Sequence, residues 1–272
     1  MRSILLHVHE DDCMEARLQA ALDLARQLDA RLTCVQVAPY ELGVPGDFFG
    51  AMAAQLVADY EDKAAAARKR FEQRIADEDV RWKWIQSLDS ATKIITRHAP
   101  TRDLVILGAQ DSEGKAGQPS RLVMELTFSV RAPILVMPSN SKNFLLEGPA
   151  MVAWNGSAES AHAMRAAIPL LSRASEVFIL TVAEEEKTGR FEMPSTGAAS
   201  YLADYDIEAE IVELPRAVRQ SVAEPLLDAA LARKGVFLVM GAYGHSRFRE
   251  RMLGGVTRDM LTDPKIPLVL SH

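Results

Sequence analysis

The chain is poor in several features that would fix its class at once. It has two cysteines in 272 residues, Cys13 and Cys34. That number excludes a disulfide framework, and the absence of CxxC spacing leaves both as small buried apolar groups. Aromatic residues make up 6%. No apolar run approaches the roughly 18 residues that span a bilayer. The N-terminal MRSILLHVHEDD turns acidic too soon for a signal peptide, so a soluble, intracellular, cytoplasmic protein is expected. An excess of basic charge is also missing. The net charge is -6 and the pI about 5.6, which leaves no footprint for nucleic acid or an anionic membrane. Signatures of strong catalysts are lacking as well: there is no GxxxxGK[ST], GxSxG or HExxH. An enzyme is not expected, beyond slow and incidental hydrolysis of a bound nucleotide.

What the chain does have is a globular composition, 48% apolar and 25% charged. Either half is long enough to bury a core. It also repeats itself. SILLHVHEDD, an Ala/Leu-rich stretch and RLTCVQVAP are answered after residue 148 by PAMVAWNGSAES, AHAMRAAIPLLSRAS and EVFILTVAE. Glu10 falls opposite Asn155 and Val37 opposite Val182. LVILGAQ (104–110) matches VFLVMGAYG (236–244), and VRAPILVMP (130–138) matches DPKIPLVLS (263–271). The polar stretch PSNSKNFLLEGP (138–149) reads as a linker. Two domains are therefore expected, over 1–138 and 149–272.

Leu18, Leu22, Ala25 and Leu28 share one helical face. The strands ILLHV, LVILGA, PILVM, VFLVMGA and PLVL are short and almost wholly apolar, as in a parallel sheet covered on both faces. The expectation is α/β: two tandem, doubly wound, Rossmann-like parallel-sheet domains. The first half carries a longer insert, and 48–77 reads as one amphipathic helix. The second half has a shorter equivalent near 195–205. Trp82 and Trp84 lie on one face of a strand and read as core or interface.

The chemistry lies in one loop. The strand VFLVM runs into Gly241 and Gly244, then nine residues, then Gly254 and Gly255. Glycines after a buried strand let the backbone turn tightly and approach a ligand. The second pair opens a helix near Val256, whose N-terminal N–H groups suit phosphate. Thr257 supplies a hydroxyl donor or caps the helix. His245 sits inside this loop. Arg247, Arg249 and Arg251 flank Glu250 there and read as a solvated loop of mixed charge.

This Gly-x2-Gly-x9-Gly spacing after VFLVMGAYG, with WNGS after the half's first strand, resembles the universal stress protein family. The whole chain resembles its tandem form. The resemblance implies a stress-response binding or signalling module that holds an adenine nucleotide, ATP or AMP with Mg, in its second domain. It assigns Ala153, Trp154 and Asn155 to the adenine and ribose, and Val182 to the adenine pocket. Met240, Gly241 and Gly244 form the strand end and first turn. Gly254, Gly255 and Val256 form the phosphate segment. Asn155 stands where the family usually has Asp, so it attracts a metal ion less. Gly255 stands where Ser or Thr is common, which removes one hydroxyl.

The first half departs from that pattern. Gly108 remains, but Asp111 falls at the second glycine and Ser120-Arg121 at the later pair. Glu10 and Asp11 add negative charge that would repel phosphate. This half is expected to bind no nucleotide in the family's manner and to partner the second half instead. PILVM (133–137) and PLVLS (267–271) would pair antiparallel as in the family's dimers, giving an internal pseudo-dimer. Whether the chain pairs again into a homodimer, and with which protein partner it works, stays open. The alternatives are a scaffold without nucleotide, acting through dimer surfaces or an unrelated small ligand, and a metal enzyme centred on His7 and His9, which point to the same face of a strand.

Overall fold

A computed structural model describes residues 1–37, 50–110, 117–183, 193–217, 220–242 and 254–272, with 50–60 described by their backbone alone. The first half runs β1 (Ser3–Val8), α1 (Met14–Leu28), β2 (Arg31–Val37), α2 (Gly50–Arg74), β3 (Arg81–Ser87), α3 (Ala91–His98), β4 (Leu104–Gly108), α4 (Arg121–Ser129) and β5 (Ile134–Met137). The second repeats the order as β6 (Ala150–Ala153), α5 (Ala158–Leu171), β7 (Val177–Val182), α6 (Ser195–Ala203), β8 (Ala209–Leu214), α7 (Ala223–Ala232), β9 (Phe237–Gly241), α8 (Gly255–Thr262) and β10 (Leu268–Ser271). The expected long helix of the insert is α2, and its shorter equivalent is α6. Residues 48 and 49 of the expected helix lie outside the described residues.

The ten described strands form one sheet in the order β3-β2-β1-β4-β5-β10-β9-β6-β7-β8. Each half is parallel throughout. The halves join through one antiparallel pair, with Leu268 opposite Val136, Val269 opposite Leu135 and Leu270 opposite Ile134. The expected partnership of PILVM with PLVLS is this seam. It covers two apolar strands that would otherwise leave unpaired backbone at an edge. In each half the chain reverses direction across the sheet at its first strand, between β1 and β4 and between β6 and β9. Open α/β sheets hold ligands at such switch points, beyond the carboxyl ends of the strands.

The strands are buried on both faces because their side chains alternate between two apolar layers. Ile4, Leu6 and Val8 join α1, α2, α5 and α6 in one cluster. Leu5, Val105 and Leu107 join α3, α4, α7 and α8 in the other. Each cluster runs through both halves. The core is thus divided by face of the sheet and not by repeat.

The segment 138–149 is not a loose connector. Phe144 and Leu146 are fully buried. The Phe144 N–H donates to Oδ2 of Asp23 at 2.9 Å, and the Leu146 N–H donates to Oε1 of Gln27 at 2.8 Å. Nε2 of Gln27 donates back to the Phe144 carbonyl. The Phe144 ring meets Phe237 of β9 at 5.7 Å. The stretch is polar in sequence but fastens α1 to the second half with its two apolar residues. Trp82 and Trp84 of β3, both half-buried, pack on Phe71 of α2 at 6.3 and 5.1 Å, against the edge of the core. Both cysteines are buried, and burial pushes the Cys34 thiol up to about 12.

Candidate functional site

In the second half, the carboxyl ends of β6, β7 and β9 lie side by side. Ala153 pairs with Leu180 and with Met240 across the sheet. Ala153, Val182, Met240 and Val256 of α8 all pack against the same apolar cluster. Four of the expected residues are thereby brought to one face. Trp154 is not on that face. It is buried in the opposite layer, and its Nε1 donates to the Met193 carbonyl at 3.0 Å. Its ring serves the core and ties the end of β6 to the approach of α6. Asn155 is exposed, and its Oδ1 accepts the Ser157 N–H at 3.2 Å. Ser157 in turn caps α5 by accepting the Ser160 N–H at 3.2 Å. Asn155 therefore shapes the turn into α5.

The two ends of the glycine loop differ in what they make room for. A Cβ on Gly241 would stand 2.6 Å from the Glu159 carbonyl carbon and 2.6 Å from the Ser160 nitrogen. Those are backbone atoms of α5, so Gly241 is required for the helix to cross the strand end. Among the described residues, nothing lies within 4 Å of a Cβ on Gly254 or Gly255. Gly254 is the N-cap of α8, with φ -56° and ψ 145°, and no side chain closes it. Among the described residues, no side chain satisfies the leading N–H groups of α8. Helix α8 starts at Gly255, one residue before the expected start, and Thr257 is a buried residue of its first turn rather than its cap. The helix is tethered by Ser221, whose hydroxyl donates to Oδ2 of Asp259 at 2.6 Å. Gly244, His245, the arginines of the loop and Glu250 lie outside the described residues.

The same place in the first half is built differently. Ser120 caps α4, its hydroxyl oxygen accepting the Val123 N–H at 3.1 Å. Glu10 forms an ion pair with Arg70 of α2, with Nε at 2.9 Å. Asp11 forms an ion pair with Arg17 of α1 at 2.9 Å, the two side chains 7% and 1% exposed. The expected repulsion of phosphate by Glu10 and Asp11 is thus corrected: each carboxylate already has a cation. A Cβ on Gly108 would overlap Nη1 of Arg17 and stand 2.7 Å from Cβ of Cys13. The space that Gly108 leaves is filled by this guanidinium. Asp111 lies outside the described residues.

The sequence reading missed Arg17. The signal was there: it is a lone cation on the apolar face of an Ala/Leu helix, six residues after an acid at a strand end. Its charge also acts on His7. Burial first, then Arg17, then His9 hold the His7 imidazole well below its ordinary value, so it is neutral. The His7 and His9 rings stack at 5.8 Å and 7°. Among the described residues no three His, Cys, Asp or Glu side chains are grouped to hold a metal ion. No described helix is long and apolar enough to cross a membrane.

With this geometry in place, the comparisons with known proteins bear on the second half and on the fold. The model described as the universal stress protein family matches residues 148–272. Over its whole length the chain is similar to a universal stress protein from Archaeoglobus fulgidus DSM 4304, at TM-score 0.73 and 12% identity, covering 99% of this chain and 97% of that one. The second half thus matches the universal stress protein family, and the whole chain has the fold of its tandem form. A second full-length likeness is to a putative universal stress protein from Pseudomonas aeruginosa UCBPP-PA14, at TM-score 0.66 and 16% identity, covering 100% of this chain and 93% of that one. A functionally unknown protein of P. aeruginosa PAO1 is similar at TM-score 0.66 and 14% identity, covering 100% and 92%. At such identities these structures speak for the fold. The family match itself falls on the half whose glycine spacing is intact. No curated protein matches the chain.

Proposed function

We propose that this protein binds an adenine nucleotide, ATP or AMP, in its second half and acts as a binding or signalling module. The repeat divides into domains at 1–138 and 149–272. One observation carries the reading: the first turn of α8 is open and uncapped, while its counterpart α4 is closed by Ser120. A helix start with free N–H groups and a positive dipole end is suited to phosphate. Val182, Ala153, Met240 and Val256 supply the apolar wall beside it. Gly244, His245 and Thr257 complete the candidate set by their place in the sequence. Asn155 offers a magnesium ion no charge, and its Oδ1 is already engaged by Ser157. Metal assistance would therefore rest on the nucleotide's own phosphates.

The test is gentle denaturation of freshly purified protein with mass spectrometry of what is released, followed by titration of ATP and AMP into the emptied protein. Near-stoichiometric nucleotide, or binding that is lost in Gly254→Asp, supports the reading. Emptied protein that binds neither nucleotide at about 1 mM, a strength of roughly 4 kcal/mol, removes it. The engagement of Asn155 and the loss of a hydroxyl at Gly255 would then favour a scaffold acting through its surfaces.

A further inference from the structure

Helices α7 and α8 of the second half enclose a cleft of about 430 Å³ over the start of β10. Its floor is apolar. Ala223, Met260 and Leu268 are buried there, and Leu227 stands beside them half-buried. Its rim is acidic. Glu224, Asp259 and Asp263 line it and are exposed, so their carboxylates are open to a ligand in the cleft. Ser221 occupies Oδ2 of Asp259, and Lys265 pairs with Oδ2 of Asp263. Among the described residues no cation pairs with Glu224 or Asp259.

This placement of charge is unfavourable for the chain alone. Asp259 and Asp263 stand one turn apart on α8, a spacing at which like charges repel. Asp263 is the C-cap of α8, where the helix dipole already ends negative, and the last turn holds no basic residue. The matching place in the first half is settled from within. Glu125 holds the position in α4 that Asp259 holds in α8, counted from the N-caps Ser120 and Gly254. The Thr92 hydroxyl donates to Glu125 as Ser221 donates to Asp259, and Nε of Arg121 pairs with Glu125 at 2.8 Å. Gly255 stands in the place of that arginine in α8, and the cation is gone.

We infer that this cleft binds a small organic cation: an amine on an apolar body of about two rings, such as an arylalkylamine. Glu224 and Asp259 take the ammonium group, and Leu227, Met260 and Leu268 take the body. Charge sets the sign of the ligand. Three carboxylates against the single ammonium of Lys265 leave the rim negative, which turns an anion away. Size sets the body, since the cleft is roughly three times the volume of about 150 Å³ that holds benzene. The cleft lies toward the opposite end of α8 from Gly254 and is independent of nucleotide in the second half.

The test uses the full chain with methyl-labelled methionine, so that the Met260 methyl signal, assigned by Met260→Leu, reports the cleft. Tryptamine is the probe. 3-Methylindole and indole-3-acetate share its ring but are neutral and negative, and methylammonium has the charge without the ring. Tryptamine is expected to shift the Met260 signal with a dissociation constant on the order of 1 mM and to bind about fivefold tighter than 3-methylindole. Indole-3-acetate and methylammonium should leave the signal in place at the same concentration. Glu224→Gln combined with Asp259→Asn keeps the size of both side chains and should weaken tryptamine about fivefold, with 3-methylindole unchanged. Leu227→Ala should weaken both indoles alike. Failure of tryptamine to shift Met260 overturns the inference. So do equal binding of 3-methylindole or indole-3-acetate, methylammonium binding as tightly as tryptamine, and an unchanged tryptamine affinity in either the charge variant or Leu227→Ala.

Discussion

Helices α4 and α8 occupy matching places in the repeat, yet one is closed by a serine and the other is left open by a glycine. The strands leading to them differ in the same sense. Gly108 makes room for a side chain, the guanidinium of Arg17, whereas Gly241 makes room for the backbone of α5. The first half has satisfied its switch point from within the chain, using Arg17, Asp11 and Ser120. In the second half, no described side chain caps the start of α8. A glycine count alone does not separate these cases, since Gly108 and Gly241 follow alike after buried strands. What separates them is whether the space a glycine leaves is already filled.

The largest effect should come from breaking the internal filling of the first half. Arg17→Met strands Asp11 at 7% exposure and should cost about 3–5 kcal/mol in chemical denaturation. The double variant Asp11→Asn with Arg17→Met should recover much of that loss, because it leaves no buried charge unpaired. Equal loss in the single and double variants would show that packing and not charge is at stake. The two core layers run through both halves, so the melting transition should stay single, with no separate unfolding of one half.

Next in size is Gly241→Ala. The added methyl meets the α5 backbone, which cannot swing aside, and the expected loss is about 1–3 kcal/mol in thermal or urea unfolding. Gly254→Ala meets no described atom and should cost less than about 1 kcal/mol, the difference between glycine and alanine as a helix cap. If the two substitutions cost the same, the distinction drawn between a packing glycine and an open glycine fails.

Much of this was legible in the sequence. Alternating helical and apolar segments gave the doubly wound sheet, while the antiparallel seam of PILVM with PLVLS came from the resemblance to the family's dimers and covers an edge the strands alone would leave open. The site was legible only in part. Ala153, Val182, Met240 and Val256, which the resemblance assigned, lie against one apolar layer, since strand ends at a switch point are neighbours. Trp154 goes to the opposite layer because side chains alternate along a strand and its neighbour Ala153 takes the first face. The segment 138–149 was misread as a linker because its polar composition hides Phe144 and Leu146, whose burial depends on Asp23 and Gln27 more than a hundred residues away. Arg17 was missed for a related reason. A cation on an apolar helix face looks like a flaw until its partner at the strand end is placed in space.

A smaller effect tests the neutral state of His7. His7 has a folded-state pKa below its unfolded one, so the unfolded chain binds the extra proton as acid is added. The stability from keeping His7 neutral is full above the ordinary imidazole value. It is lost as pH falls from about 6.5, at up to about 1.4 kcal/mol per pH unit. His7→Gln should flatten the fall of the melting temperature between about pH 7 and about pH 5 relative to the unsubstituted chain. His98 and His272 are held low chiefly by burial and act in the same direction, so the flattening is partial. A slope unchanged in His7→Gln would place the acid sensitivity on those two residues.

The smallest effects on stability carry the sharpest test of the comparison, because they exchange the caps of the two helices. Ser120→Ala should cost about 1 kcal/mol by freeing the Val123 N–H at the start of α4. Gly254→Ser should stabilise by only a few tenths of a kcal/mol, since glycine is already a tolerable cap. The two changes differ in what else they do. A serine hydroxyl at 254 competes with a phosphate for the same N–H groups of α8. The proposed nucleotide affinity should drop several-fold, while the fold is unharmed. Ser120→Gly opens α4 but should gain no nucleotide, because Arg17 still fills the space above Gly108. Calorimetric titration of ATP against the two variants reads both outcomes. If opening α4 alone confers binding, the cap is the whole difference between the halves. If it does not, the buried ion pair of the first half closes the site as much as the serine does.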